Sequence, residues 1–223
     1  MARGVRKTYR SQADDVEALK GIDLDIHAGE LVMVMGPSGN GKTTMLNCLS
    51  GLDDIDAGHV LVDGLDLHRV SDARRTDHRA RRMGFVFQSF NLIPVFSAAE
   101  NVELPLLVIG TPARVARRRA LEMLDRVNLR DRATHRPAEL SGGEQQPVAI
   151  ARALVAEPAI VWADEPTGNL DSQTAEAVLD VLFDVHRSGH TLVVVTHDRA
   201  IGARGTRLVE VRDGRIVVDG PPR

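Results

Sequence analysis

The sequence predicts an α/β fold: a mainly parallel sheet, an N-terminal antiparallel β portion and an inserted helical subdomain. Three observations predict it. Apolar runs at residues 31–35, 159–163 and 191–195 lack polar alternation and are separated by helical patterns, as in a parallel sheet covered on both faces. The first run leads straight into Gly36-Pro37-Ser38-Gly39-Asn40-Gly41-Lys42-Thr43-Thr44, which opens a helix through Met45, Leu46, Cys48 and Leu49. Residues 89–140 have a mainly helical pattern, punctuated by Pro94, Pro105, Pro112 and Pro137.

In order, residues 5–35 read as strands. Ile22, Leu24 and Ile26 alternate with Asp23 and Asp25, the pattern of a half-exposed strand. Gly51 and Gly58 bracket an acidic turn, and the strand 59–62 ends at the hairpin signal Asp63-Gly64. Residues 69–82 carry six arginines with Asp72 and Asp77 interspersed. An anion patch is one reading; a solvated mixed-charge helix fits the acidic whole better. The strand 84–87 stops at Gln88. In the insert, Thr111-Pro112 is a helix start, and Val115, Leu121, Leu124 and Val127 form an apolar face opposite Arg114, Arg117 and Arg118. The amphipathic helix Ser172–Arg187 turns Ala175, Val178, Leu179, Leu182 and Phe183 inward. Asp213-Gly214 marks a last hairpin.

These elements describe one domain over 1–223, with an α/β core at 1–88 and 141–223 and a helical insert at 89–140. A chain of 223 residues buries a sizeable core, which at 43% apolar but 3% aromatic content is built of Val, Leu, Ile and Ala. A net charge of −3 argues against a general nucleic-acid binder. The single cysteine, Cys48, excludes an internal disulfide and fits a reducing cytoplasm. There is no signal-peptide pattern and no apolar run of bilayer length, so a membrane role is expected through a partner.

The glycine loop carries the chemistry. Its glycines let backbone N–H groups form a concave anion nest, and the helix that follows adds its positive end. Lys42 can reach the β- and γ-phosphates, and the Thr43 hydroxyl can ligate Mg²⁺. This is the signature of a P-loop NTPase core. Asp164-Glu165 ends the strand 159–163, where ligand groups of parallel sheets belong. Asp164 is expected to hold Mg²⁺, and Glu165 to polarise the attacking water. His197 follows the strand 191–195 and is expected to face the γ-phosphate. Gln88 occupies a third strand end, where its amide can touch Mg²⁺ or water while its loop leads to the insert. In Leu140-Ser141-Gly142-Gly143-Glu144-Gln145, Ser141 is an N-cap before a helix through Val148, Ile150, Ala151 and Leu154. One triphosphate does not need two such helix ends, so this second one is expected to serve the nucleotide of another subunit.

Taken together, residues 36–43, Gln88, 140–145, the run Ala163-Asp164-Glu165-Pro166-Thr167-Gly168-Asn169-Leu170-Asp171 and Thr196-His197-Asp198 closely resemble the ATP-binding subunit of an ABC transporter. The run 163–171, with residues 87–92 and Leu52-Asp53, is most similar to the branch of lipoprotein-release, macrolide-export and cell-division ATPases. The resemblance implies an ATPase, with ATP and Mg²⁺ as cofactors, that powers export or extraction of a substrate through a separate membrane permease. It implies a head-to-tail homodimer with each ATP between one phosphate loop and the partner's Ser141, Gly142, Gly143 and Glu144. Tyr9 is implied to stack on adenine and Asp171 to contact the opposite subunit.

Two features depart from the family pattern. Pro147 stands where arginine is usual; inside a helix it removes a hydrogen bond at a cost of about 3 kcal/mol, so a weakened or kinked helix and reduced hydrolysis are expected. The first strand looks short, which predicts looser adenine binding. Asn40, where serine is commoner, is expected to matter little. A signalling module that acts through a membrane partner on cell-wall or division machinery, without transport, shares every one of these motifs. A soluble DNA-repair or translation ATPase is disfavoured by the short span from Lys42 to Ser141, and a non-hydrolysing binder by Lys42, Asp164, Glu165 and His197.

Overall fold

The computed structural model describes residues 1–10 and 14–222. The chain divides into two compact units, Met1–Arg79 with Thr191–Arg223, and Ala80–His190.

The first unit is mostly sheet. Strand β1 (Ala2–Tyr9) pairs antiparallel with both β2 (Val16–Leu24) and β4 (Ala57–Val62). At eight residues and paired on both sides, β1 is not the short strand the sequence suggests. Strand β4 turns through Asp63 and Gly64, at φ 49° and 80°, into β5 (Leu65–Asp66). Strand β3 (Leu31–Met35) runs parallel to β8 (Thr191–Val195) on one side and β9 (Arg207–Arg212) on the other. Strand β10 (Arg215–Gly220) closes the edge antiparallel to β9. Val32, Met33 and Val34 are fully buried, as expected of a run apolar on both faces. Helix α1 (Lys42–Leu49) follows β3, and the short α7 (Arg199–Gly202) follows β8.

The unit boundary falls inside α2 (Asp72–Arg82), which buries no residue. Arg75 bridges Asp54 and Asp72, so the arginine-rich stretch is a solvated mixed-charge helix.

In the second unit, β6 (Met83–Phe87) runs parallel to β7 (Ile160–Asp164). Helices α3 (Ala98–Val108), α4 (Ala113–Arg126) and α5 (Gly142–Leu154) lie between them in the chain, and α6 (Ser172–Arg187) follows β7. Residues 89–140 lie wholly in this unit. Their core combines Val102 and Leu106 of α3, Ala116, Ala120 and Leu124 of α4, and Val148 and Ala151 of α5. Ser97 caps α3 reciprocally: its Oγ accepts from the Glu100 N–H at 3.3 Å, and Glu100 accepts from the Ser97 N–H at 2.7 Å.

Three local readings change. Pro112 sits at the N-cap of α4 rather than in its first turn. The buried stripe of α4 is Ala116, Ala120 and Leu124, whereas Val115 and Leu121 are only half-buried. Alanines at four-residue spacing let α4 approach α3 closely, a contact that a count of large apolar side chains overlooks. Helix α5 also runs unbroken through Pro147.

Candidate functional site

In the first unit the loop between β3 and α1 is wedged between two strands. A Cβ on Gly36 (φ 146°) would lie 2.0 Å from the Val211 carbonyl, and one on Gly41 (φ 93°) 2.6 Å from that of Ala18. Only glycine fits at either position. Asn40 pins the loop to the last hairpin: its Oδ1 accepts from the Asp213 N–H at 2.8 Å, and its carbonyl from the Gly214 N–H at 3.3 Å. Asn40 therefore has a structural task that reading the loop as backbone amides alone missed.

Lys42 is buried, at 7% exposure, and its ammonium donates to the carbonyls of Gly36 at 2.8 Å and Pro37 at 2.9 Å. Helix α1 begins at Gly41 with no side chain capping it and no acid in its first turn. By contrast, Ser97 and Asp171 side chains cap α3 and α6. An uncapped helix N-terminus beside a buried lysine is a cradle for an anion. It opens on a cleft of about 490 Å³ lined by Tyr9, Gly39, Asn40, Lys42, Thr43 and Thr44. The chemistry and size of the cradle fit a nucleoside triphosphate. Pro37, Ser38 and Thr43 are exposed.

Tyr9 is 43% exposed at the rim of the cleft. Its hydroxyl donates to Asp53 at 2.7 Å, and Lys7 Nζ lies 5.1 Å from its ring centre. Burial, with the hydrogen bond to Asp53, raises its hydroxyl above the usual pKa. His197 is exposed just beyond β8, after the buried Thr196. The neighbouring Asp198 caps α7, accepting from the Ala200 N–H at 2.7 Å.

In the second unit Phe87 pairs in register with Asp164, so Gln88 and Glu165 leave their parallel strands side by side. Asp164 and Glu165 are half-buried. Glu165 has a left-handed backbone, φ 46°, and its carbonyl accepts from the Gly168 N–H at 3.0 Å. A residue other than glycine held in this region is a feature that clusters at functional sites. Gln88 Nε2 donates to Asn169 Oδ1 at 3.1 Å, and Asn169 Nδ2 donates to the Gln88 carbonyl at 3.0 Å. Asn169 was legible only as part of the run 163–171, without a task of its own.

Ser141 stands at the N-cap of α5. Its N–H and hydroxyl both donate to the Glu144 carboxylate, at 2.9 and 3.0 Å, and Arg132 Nε donates to the same group at 3.0 Å. The Ser141 N–H and Arg132 hold that carboxyl below its ordinary pKa. Asp171 caps α6, accepting from the N–H groups of Gln173 and Thr174 at 3.1 and 3.0 Å and from the Thr174 hydroxyl at 2.7 Å. Gly143 packs on that same threonine, where a Cβ would lie 2.8 Å from the Thr174 methyl. The N-termini of α5 and α6 therefore meet around Thr174, and Gly142 is exposed beside them.

Residues 19–168 match the family model described as ABC transporter. The chain belongs to the ABC transporter family. It is an ATP-binding and ATP-hydrolysing subunit, and ATP with Mg²⁺ is its cofactor. Relatives of this ABC subunit include the lipoprotein-releasing system ATP-binding protein LolD of Syntrophus aciditrophicus, 47% identical over 216 residues, with 96% of this chain and 97% of that protein covered. The macrolide export ATP-binding/permease protein MacB of Brucella melitensis is 49% identical over 217 residues, and the chain spans 34% of its length. Among solved structures, the ATP-binding cassette MJ0796, dimeric in a post-hydrolysis state with ADP and Pi, superposes with a TM-score of 0.92 at 43% identity, covering 100% of this chain and 98% of that one. No helix of the described residues is long and apolar enough to cross a membrane.

Proposed function

We propose that two copies of this chain close head-to-tail on two ATP molecules and drive a membrane permease that exports or extracts its substrate. The observation that carries the reading is the phosphate cradle, an uncapped α1 N-terminus with buried Lys42 beside it. Its complement is the second helix end at Ser141, exposed on α5. The LolD and MacB relatives support extraction or export rather than uptake. On this reading the chain works in the cytoplasm, peripheral to the inner face of the membrane, as one ATPase domain in which 89–140 is a helical insert.

The residues take these roles. Backbone N–H groups of Gly36, Ser38, Gly39, Asn40 and Gly41 cradle the phosphates, with Pro37, which has no N–H, setting the turn and Thr44 at the mouth of the cleft. Lys42 moves from its two loop carbonyls to the β- and γ-phosphates. Tyr9 stacks on adenine. Thr43, Gln88 and Asp164 would hold Mg²⁺, whose charge would offset that of the phosphates. Glu165 orients and polarises the attacking water, and His197 donates toward the γ-phosphate. Ser141, Gly142, Gly143 and Glu144 close on the partner subunit's nucleotide, and Asp171 lies at the same face.

The test is the Glu165→Gln variant with ATP and Mg²⁺, followed by sedimentation. A stable dimer is the expected result; a monomer under saturating nucleotide overturns the head-to-tail reading. Affinity purification from the host's own membranes then identifies the partner. A permease supports transport, whereas a permease accompanied by cell-wall hydrolases or their activators moves the reading to signalling.

A further inference from the structure

Helix α5 carries Ser141–Glu144 at its start and Pro147 inside it. Proline has no N–H, so the carbonyl of Gly143 loses its helical partner and the first turn is less firmly joined to the rest of the helix. Two side chains flank that gap, and both reach the loop that carries Gln88. On the near side, fully buried Gln146 donates through Nε2 to the Pro166 carbonyl at 2.6 Å and the Phe87 carbonyl at 3.4 Å. On the far side, half-buried Arg152 donates to the carbonyls of Phe90 at 2.8 Å and Asn91 at 2.5 Å. Phe90 and Asn91 are both left-handed, at φ 59° and 51°, so their carbonyls leave the loop in directions an ordinary strand exit does not offer.

Gln146 Oε1 is buried and has no hydrogen-bond partner among the described residues. A buried acceptor without a partner is unfavourable, and an apolar side chain of the same shape would avoid it. Filling space does not account for a glutamine here; its donor does. That donor spans the two strand exits, at Phe87 before Gln88 and at Pro166 after Glu165.

We propose that Gln146 is a positioning residue. Across the helix bond that Pro147 deletes, its amide ties the first turn of α5, with Ser141–Glu144, to the exits that carry Gln88 and Glu165. Arg152 anchors the far part of the helix to the same loop. A shift of the Gln88 loop on nucleotide binding then moves the Ser141 end with it, although the continuous helix lacks one backbone hydrogen bond between the two ties. The inference rests on the reading that Gln88 and Ser141 both serve the nucleotide.

The experiment measures steady-state ATP hydrolysis and ATP binding for the full chain, Gln146→Met, Pro147→Ala and the double variant. Gln146→Met is expected to lower kcat roughly tenfold, with ATP affinity within about twofold of the parent. In the Pro147→Ala background the same change costs about threefold or less, because the restored helix bond now carries the first turn. Equal losses in both backgrounds overturn the inference. So does Gln146→Asn at the parent rate, since it keeps the donor but falls one methylene short. Ser141→Ala and Gln88→Ala separate the two layers. Parent-like hydrolysis by both removes the site reading and this inference with it. Loss in both, with Gln146→Met unaffected, removes the inference alone.

Discussion

Gln88 and Asn169 hold each other by two hydrogen bonds, one from the glutamine amide at 3.1 Å and one to the glutamine carbonyl at 3.0 Å. The side chain proposed to meet Mg²⁺ is therefore engaged with the turn that follows Glu165. Swinging it toward a metal breaks at least one bond of about 1 kcal/mol net. Asn169→Ala removes that cost. The Mg²⁺ concentration for half-maximal hydrolysis is expected to fall about three- to tenfold, as read from a Mg²⁺ titration at saturating ATP; an unchanged or higher requirement contradicts the latch.

Lys42 rests on two carbonyls of its own loop, so its removal costs the fold little and the anion much. Lys42→Ala is expected to change stability by no more than about 1–2 kcal/mol while ATP binding and turnover are lost. Thermal unfolding and nucleotide titration on the same sample check both halves. Gly36→Ala is the converse: its Cβ would meet the Val211 carbonyl at 2.0 Å, so the fold itself is expected to lose about 2 kcal/mol or more.

Glu165→Gln keeps the shape of the side chain and removes the proposed base. Hydrolysis is expected to drop at least about a hundredfold with ATP affinity retained. A variant that hydrolyses within a few-fold of the parent assigns the base elsewhere, and His197 is then the first residue to replace.

Cys48 is buried in α1, and burial pushes its thiol up from 9.0 to about 12. The folded state keeps the proton where the unfolded chain has released it. The thiol's contribution to stability is thus complete below about pH 9 and is lost as pH rises toward 12. Unfolding followed between those limits should show a downward slope that Cys48→Ala reduces. A thiol reagent at mildly alkaline pH is expected to label the chain only after denaturation.

Pro147→Ala restores an N–H to the interior of α5. The chain is expected to gain roughly 1–3 kcal/mol, visible as a higher denaturation midpoint. Pro147→Arg tests activity: equal hydrolysis by it and the parent would show that the proline does not limit turnover.

The strands 31–35 and 191–195 and the phosphate loop were legible because each is written locally, in an unbroken apolar run or a glycine spacing. What was not legible depends on partners distant in sequence. The α4 face was read from Val115, Leu121, Leu124 and Val127 and lacked Ala116 and Ala120, which signal nothing by hydrophobicity yet set how near α3 can come. Asn40 read as a bystander because its partner, the Asp213 N–H, lies 173 residues away. The residue types at Gln88, Asp164, Glu165 and Ser141 were readable, whereas the ties made by Asn169, Gln146 and Arg152 were not. Apart from the Gln88 amide bond to Asn169 Oδ1, those ties run to backbone carbonyls, which a sequence does not distinguish from one another.

The hold of Asn40 on Asp213 and Gly214 also orders events during synthesis. Residues 36–44 leave the ribosome long before the hairpin that presses on them exists. Until residues 207–214 emerge, β3 lacks one of its two neighbours and the loop lacks the strand carbonyl that Gly36 packs against. A nascent or prematurely ended chain therefore carries the full nucleotide motif without its shape. The loop gains its full packing only when the last hairpin folds back on it.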